Sequence, residues 1–301
     1  MRRNFVVLMA FGALAVGATA SRAYVRSTTS TGTPVAWRER CRTLLIDSTE
    51  NPEFPHDRLL RVVDRAVANW VEPTKECTAV AITVSVDAVD RAEVVYDGAN
   101  VLLWRLPGFC DDQDNALAEV CLAPNAAAIT TIFYYDKPGD SEDGELLEAD
   151  LVINAEGFRF DEGSADSVDL EAVLTHELGH FLGLGHTCYN TFGAVPPLDV
   201  TGEEVPFCFP LTALDADATE ATMFTYIDPG EIGKRDPTED EWKGICEIYA
   251  TTPGECYTPD LGGCACQATV EHDHPSGLAV LAMCWLGLLC LVRPLIKRKR
   301  R

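Results

Sequence analysis

The chain has 301 residues, of which 47% are apolar, and its formal net charge is −23 at pH 7. This apolar fraction is enough for a real core, in one large domain or in two small ones. Because so acidic a surface repels the phosphates of nucleic acids and of anionic lipids, we expect no nucleic-acid partner.

The N-terminal residues have the layout of a secretory signal peptide. MRRNFVVLMAFGALAVGATA contains two arginines, an apolar run and the small residues Ala18-Thr19-Ala20. We predict a signal peptide over residues 1–20, with an alternative cut after Ala23. A buried N-terminal helix is the competing interpretation.

The central part of the chain predicts an alternation of strands and helices. Apolar residues at helical spacing predict a helix in DRLLRVVDRAVANWVE. Short β-type runs predict strands in RTLLID, AVAITVSVD, NVLLWRL, AAITTIFYYD and EADLVINAEGF. A helix over residues 168–182 follows, then an irregular stretch over 188–220, then a last helix opened by a capping box of Thr238 and Glu241. This order predicts an α/β (α+β) fold, a single domain with a mixed twisted sheet.

Two stretches between the strands, CDDQDNALAEVC and DKPGDSEDGE, are predicted to be acidic loops. Their carboxylates make Ca²⁺ a second candidate cofactor, although neither stretch matches a D-x-[DN]-x-[DN]-G loop. Solvated loops are the preferred interpretation. The carboxylates concerned are Asp111, Asp112, Asp114, Asp140, Glu142 and Asp143.

Eight of the twelve cysteines precede residue 260 and are spread over the predicted domain. An even set in an exported protein predicts disulfides and an oxidising compartment. Eight cysteines allow about 105 pairings, so the connectivity is open. Close spacing favours Cys110–Cys121 and Cys188–Cys208.

Three of the six histidines lie in HELGHFLGLGH. On a helix, His176 and His180 emerge on one face, one turn apart, and can bind a single Zn²⁺. Gly183 can adopt a positive φ, which ends the helix and lets His186 return as a third ligand. Three protein ligands leave a fourth position for water, and Glu177 is placed to reach that water. Three core histidines bonded to backbone carbonyls are the alternative.

One methionine, Met223 in EATMFTYID, lies between the predicted signal peptide and the apolar tail. The extended zinc motif of this type is accompanied by a methionine turn later in the chain. Met223 follows the third histidine, so we predict that it forms this turn, with core gap-filling as the alternative.

HELGHFLGLGH followed by ATMF resembles the metzincin zinc endopeptidases. Together with EADLVIN, Thr187 and PTEDEWKGICEIY, it is most similar to the matrixins, in a bacterial form. The resemblance implies a zincin domain over residues 24–255, with His176, His180 and His186 as zinc ligands, Glu177 as general base and Met223 in the turn. It also implies that EADLVIN is the sheet edge on which a peptide substrate lies.

The sequence departs from the matrixin pattern in several places. No histidine lies between His56 and His176, so we expect no second, structural zinc. No counterpart of the latency segment is apparent. Thr225 stands where a proline is expected, and Tyr226 lies one position beyond the tyrosine ligand of related families, so we do not assign it as a ligand. The GHTC junction is also similar to pappalysins, which leaves the subfamily open.

The C-terminal residues resemble an anchor or sorting signal. Residues 256–276 are predicted to be a cysteine-containing linker, and 277–301 an apolar helix with a basic tail ending in KRKRR. Residues 277–292 carry no charge, but a comfortable membrane span needs about 20 residues. This tail combines a cysteine motif, GGCACQ, with an apolar helix and a basic cluster, and it is similar to the sorting tails of myxobacterial surface proteins. We therefore expect membrane attachment through this helix, lasting or transient, with removal by a processing protease as one outcome.

The sequence thus predicts a secreted or cell-surface zinc endopeptidase acting on protein or peptide substrates. The alternative is a non-catalytic metal-binding module for surface adhesion. Glu177 distinguishes them, because a binding-only site has no chemical need for it.

Overall fold

The structure is a computed structural model that describes residues 24–86, 94–111, 121 and 123–250. Its centre is a five-stranded mixed sheet in the order β3-β2-β4-β6-β5. The pairs β2–β3, β2–β4 and β4–β6 are parallel, whereas β5 is antiparallel to β6. The predicted mixed α/β fold is therefore confirmed. The strands are β1 Val25–Arg26, β2 Cys41–Ile46, β3 Ala81–Val86, β4 Asn100–Arg105, β5 Ala128–Tyr134, β6 Leu146–Asn154, β7 Phe160–Asp161, β8 Val168–Asp169 and β9 Leu184–Gly185.

The prediction that EADLVIN forms the sheet edge is wrong. These residues belong to β6, which lies between β4 and β5. Leu151, Val152 and Ile153 are all buried, so both faces of the strand are covered, as a continuous apolar run requires. β5 is the edge strand on this side of the sheet, and its residues after Ala128 are only half-buried.

The part of the chain that the structure describes contains four α-helices. They are α1 His56–Thr74, α2 Leu170–Phe181, α3 Ala216–Glu220 and α4 Glu239–Ile248. Short 3₁₀ helices occupy Phe109–Asp111, Leu211–Ala213 and Gly233–Arg235.

The long helix α1 packs against α2 and holds it in place. Its predicted apolar positions form one buried face, which includes Leu59, Val63 and Trp70. Trp70 donates its indole N–H to the carbonyl of Thr175 on α2 at 2.8 Å. This hydrogen bond from Trp70 links α1 to the middle of α2, the helix that carries His176 and His180.

Helix α2 starts two residues later than predicted, because Asp169 is its N-cap. The Asp169 carboxylate accepts the backbone N–H of Ala172 at 2.9 Å and forms an ion pair with Arg235 at 2.5 Å. Val168 and Asp169 also form β8, so they are extended and not helical. A buried cap with a cationic partner fixes where the helix begins.

Helix α4 begins with the predicted capping box. Thr238 and Glu241 exchange side-chain and backbone hydrogen bonds in both directions.

Three disulfides link the described residues. Cys110–Cys121 and Cys188–Cys208 confirm the pairings that close spacing favoured. Cys77–Cys246 joins the residues after α1 to α4 across 169 positions of sequence, a pairing that spacing could not indicate. This third bond ties the last helix to the helix that supports α2.

The acidic loops are described only in part. Most of CDDQDNALAEVC, including Asp112 and Asp114, lies outside the described residues. In DKPGDSEDGE, Asp143 accepts the backbone N–H of Lys137 at 2.8 Å, and Asp140 accepts that of Glu142 at 3.1 Å. These contacts organise the loop itself, and calcium binding stays a prediction.

The first described residues pack against α4 and pair with the strand that follows α2. Tyr24 is buried, its backbone N–H lies 2.8 Å from the Asp240 carboxylate, and its hydroxyl donates to Glu247 at 2.6 Å. The next two residues, in β1, pair with β9, which immediately follows α2.

Among the described residues no helix is long and apolar enough to cross a membrane. The predicted signal peptide, residues 1–20, and the predicted tail helix, 277–301, lie outside the described residues.

Candidate metal and catalytic site

His176 and His180 emerge from the same side of α2, and each is oriented by a backbone carbonyl. His176 donates Nδ1–H to the carbonyl of Thr222 at 2.7 Å, and His180 donates Nδ1–H to that of Leu184 at 2.8 Å. These bonds fix the tautomer, so both Nε2 atoms present lone pairs to the same point.

The chain reverses immediately after α2 because Gly183 takes a positive φ of 85°. A Cβ at this position would lie 2.6 Å from the carbonyl oxygen of Val35, so only glycine fits both the turn and the close approach. The turn leads into β9 and brings His186 back over the other two rings. Its Nε2 lies 3.1 Å from Nε2 of His176 and 3.0 Å from Nε2 of His180.

The three imidazoles fit a tetrahedral transition metal. Zn–N bonds of about 2.0–2.1 Å place the nitrogens of a tetrahedral site about 3.3 Å apart, close to the distances seen here. Burial lowers the pKa of His176 to about 3, helped by the neighbouring His180, and burial also lowers the pKa values of His180 and His186. The rings are therefore neutral, which is the form that binds metal. In the described part of the chain, His176, His180 and His186 are the group whose donor atoms converge in this way.

Glu177 lies next to the triad and is almost completely buried, with 5% of its surface exposed. Its carboxylate accepts a hydrogen bond from the hydroxyl of Thr130 on the edge strand β5, at 2.7 Å. Burial raises the pKa of Glu177 to about 7, and the bond from Thr130 opposes that rise. A carboxylate held in this way can accept and release a proton near neutral pH.

Met223 lies next to the helix that carries the histidines and is completely buried. Its sulfur lies directly against Gly179, and its carbonyl accepts the backbone N–H of Thr187 at 3.1 Å. Because the preceding residue, Thr222, holds His176, the segment 222–223 supports both the helix and its first histidine. Met223 is therefore in contact with the helix that carries His176 and His180, and its role as a methionine turn stays a prediction.

Glu241 is a supporting residue whose second role the sequence did not indicate. Besides capping α4, its buried carboxylate accepts the backbone N–H groups of Thr222 at 3.2 Å and Met223 at 2.7 Å. Burial raises its pKa, while these hydrogen bonds favour the charged form. The capping-box pattern predicted only the helix cap. Nothing in the local sequence indicated that the Glu241 carboxylate also binds the backbone of Met223, 18 residues earlier in the chain. Thr130 was also missed, because a threonine in a β-strand usually signals only strand propensity.

The triad opens into a cleft of about 520 Å³ between two walls. One wall is the edge strand β5, from Ala128 to Ile132. The other is the segment 224–227, which includes Phe224, Thr225 and Tyr226. Tyr226 therefore lies in the cleft wall, with its ring against that of Phe224 at 5.7 Å.

A family model described as matrixin matches residues 133–193, from the end of β5 to seven residues beyond the third histidine. No curated protein matches the chain. Residues 170–181 of α2 and all three histidines lie within the matched residues, so the likeness covers the part of the site where the donor atoms converge. The match and the triad together support a metzincin-like metalloprotease.

Proposed function

We propose that the protein is a zinc-dependent endopeptidase, in which His176, His180 and His186 hold one Zn²⁺ and Glu177 is the general base. The observation that carries this proposal is the convergence of three neutral Nε2 atoms beside a buried carboxylate, on the floor of an open cleft. A metal with three protein ligands keeps a position for water, which is the arrangement of catalytic zinc sites and not of structural ones.

Bound zinc would act as a Lewis acid, polarising the scissile carbonyl and lowering the pKa of water. Glu177 takes the proton of the attacking water on its carboxylate and returns it to the leaving amine. Thr130 orients that carboxylate, since its hydroxyl donates to the carboxylate and also lies 3.1 Å from the Glu177 carbonyl.

The substrate would bind as an extended chain along β5 and not along β6. In the described part of the sheet, β5 has a pairing partner on one side only, so its outer N–H and C=O groups face the cleft. Such an edge pairs with an extended peptide through main-chain hydrogen bonds, independently of the peptide's sequence. This geometry favours unfolded or flexible polypeptides as substrates.

A non-catalytic metal-binding adhesion module is the alternative. Burying a carboxylate is costly unless the group is paired or functional, and Glu177 has one side-chain donor, Thr130, among its hydrogen bonds in the structure. A site that only binds metal gains nothing from this arrangement. The position of Glu177 therefore favours the enzyme.

We further propose that the protein acts outside the cytoplasm, at the cell surface or after secretion. The disulfides Cys77–Cys246 and Cys188–Cys208 support an oxidising compartment. Export would use the predicted signal peptide. Cleavage after Ala23 is supported by the 2.8 Å contact between the Tyr24 nitrogen and Asp240, because a free ammonium there would form an ion pair. The tail after residue 256 would attach the domain to the membrane until a processing protease removes it.

The proposed chemistry is tested by Glu177→Ala in the oxidised, zinc-loaded protein. We expect the variant to keep its zinc and to lose cleavage of an unfolded protein by at least about 10³-fold, as expected when general acid–base catalysis is removed. Undiminished cleavage by this variant would show that Glu177 is not the base. Zinc content measured on the same samples separates a chemical defect from a binding defect.

A further inference from the structure

A strip of aromatic rings leaves the cleft and continues along the loop of residues 188–213. It consists of Tyr226, Phe209, Phe207 and Phe192, whose successive ring centroids are 5.7, 5.9 and 6.4 Å apart. At its inner end Tyr226 contacts Phe224, and both side chains line the cleft. This aromatic strip connects the wall of the catalytic cleft with the outer surface of the loop.

The outer part of the strip is unusually exposed for apolar side chains. Phe192 is 93% exposed and Phe209 52%. Nine large apolar side chains are exposed in the described part of the chain, and five of them belong to this one loop: Phe192, Val195, Leu198, Phe209 and Leu211. Clustered apolar exposure on a soluble domain marks a binding surface, whereas single exposed residues need no explanation.

The loop is held in place by covalent and hydrogen bonds. The Cys188–Cys208 disulfide closes its base. Tyr189 donates its N–H to Pro206 at 3.0 Å and accepts that of Cys208 at 2.9 Å, while Thr225 in the cleft wall donates to the carbonyl of Cys188 at 3.3 Å. The exposed rings are thus presented by a loop that is tied directly to the cleft wall.

The charge of the loop restricts what it can bind. Residues 188–213 contain no lysine or arginine, and their charged side chains are Asp199, Glu203 and Glu204. An acidic ligand would be repelled, so the ligand that fits is an apolar segment with neutral or basic neighbours.

We propose, on the basis of the endopeptidase function above, that the aromatic strip is an extension of the substrate site. It binds aromatic or large aliphatic side chains that flank the cleaved bond. Each ring-to-ring step spans about two residues of an extended chain, at about 3.3 Å per residue, so the strip follows about five residues beyond the cleft. The substrate class is therefore an extended polypeptide rich in aromatic residues and poor in acidic residues near the cleaved bond.

The test uses two peptides that share the sequence around the cleaved bond and differ in the segments that flank it. The shared sequence is one that wild type cleaves in a digest of a peptide library. One peptide carries phenylalanines in both flanks, and the other carries serines at the same positions. We expect wild type to cleave the phenylalanine peptide with a kcat/KM about tenfold higher, mainly through KM, because burying such a ring is strongly favourable. Phe192→Ser and Phe209→Ser should each reduce the ratio of kcat/KM for the phenylalanine peptide to kcat/KM for the serine peptide towards one.

Val86→Ser is the matched control, since Val86 is 50% exposed at the opposite edge of the sheet, on β3. This variant should keep the wild-type ratio of kcat/KM between the two peptides. Equal cleavage of both peptides by wild type would overturn the role of the strip and leave the endopeptidase intact. Cleavage of neither peptide would overturn the endopeptidase function and, with it, the role of the strip. A wild-type dimer that Phe192→Ser converts to a monomer would show that a second copy covers the strip, which also contradicts the proposal.

Discussion

The sulfur of Met223 lies directly against the backbone of Gly179, the glycine between Glu177 and His180 in the zinc motif. A Cβ at position 179 would overlap this sulfur and would also lie 3.1 Å from the ring of Trp70. The glycine is therefore required by the methionine beneath it and by the helix α1 behind it. Three elements that are far apart in sequence meet at this point, on the helix that carries His176 and His180.

This contact predicts that Gly179→Ala disturbs the whole site. We expect a loss of about 1–3 kcal/mol in the free energy of unfolding, because the added methyl overpacks a closed core, together with weaker zinc binding. Urea unfolding and zinc titration measure the two effects. Gly233→Ala is the control, since open space surrounds a Cβ there, and its effect should stay within about 0.5 kcal/mol. Equal effects of the two substitutions would contradict the role assigned to the Gly179–Met223 contact.

Glu241→Gln should weaken the support of the metal site from a distance. The substitution leaves one oxygen to accept N–H groups from Thr222 and Met223, and it places an amide donor against them. We expect destabilisation of about 1–3 kcal/mol and slower peptide cleavage, because Thr222 holds His176. Thermal unfolding and kcat/KM are the measurements.

The control is Glu239→Gln, an exposed residue in the first turn of the same helix, α4. It removes the same charge from the helix N-terminus without touching the methionine turn. If both variants lost the same stability, the helix N-terminal charge alone would account for the effect of Glu241.

Thr130→Val removes the hydroxyl that orients Glu177 and keeps the shape of the side chain. We expect kcat/KM to fall by about tenfold with unchanged zinc content, since the hydrogen bond positions the base and does not bind the metal. Thr131→Val, on the same strand, changes the same chemical group and should have little effect. Loss of zinc in Thr130→Val would indicate a structural role instead.

The contribution of Asp150 to the free energy of unfolding should fall as pH rises from about 4 to about 7. Burial raises the pKa of this carboxyl from 3.8 to about 7. Between these values the folded state binds a proton that the unfolded state has released, so each increase in pH favours unfolding. The contribution is at most about 4 kcal/mol.

Urea unfolding of wild type and Asp150→Asn at several pH values isolates this contribution, because other titrating groups cancel in the difference. The wild type should lose stability relative to the variant as pH rises through this window. A difference that does not change with pH would mean that Asp150 titrates normally in the folded protein.

Sequence reasoning identified the part of the site that is contiguous in the chain. The spacing of His176, Glu177, His180 and His186 fixes their arrangement as soon as the helix and the turn at Gly183 form. The fold class followed from the order of strands and helices. Local patterns carry this information because both the helix period and the turn are local properties.

The contacts that the sequence did not reveal depend on the tertiary fold. The Thr130–Glu177 bond joins residues 47 positions apart, and the Cys77–Cys246 disulfide spans 169. The edge strand was misassigned because the family likeness pointed to EADLVIN. Its continuous apolar run in fact marks an inner strand, and the half-buried β5 occupies the edge.

The most direct test of the account is the zinc content of the folded, oxidised protein, measured by elemental mass spectrometry after dialysis against metal-free buffer. We expect about one zinc per chain in wild type, and much less than one in His186→Ala, which lacks one of the three converging nitrogens. A folded wild-type protein that carries no transition metal and takes none up when zinc is added would contradict the central claim.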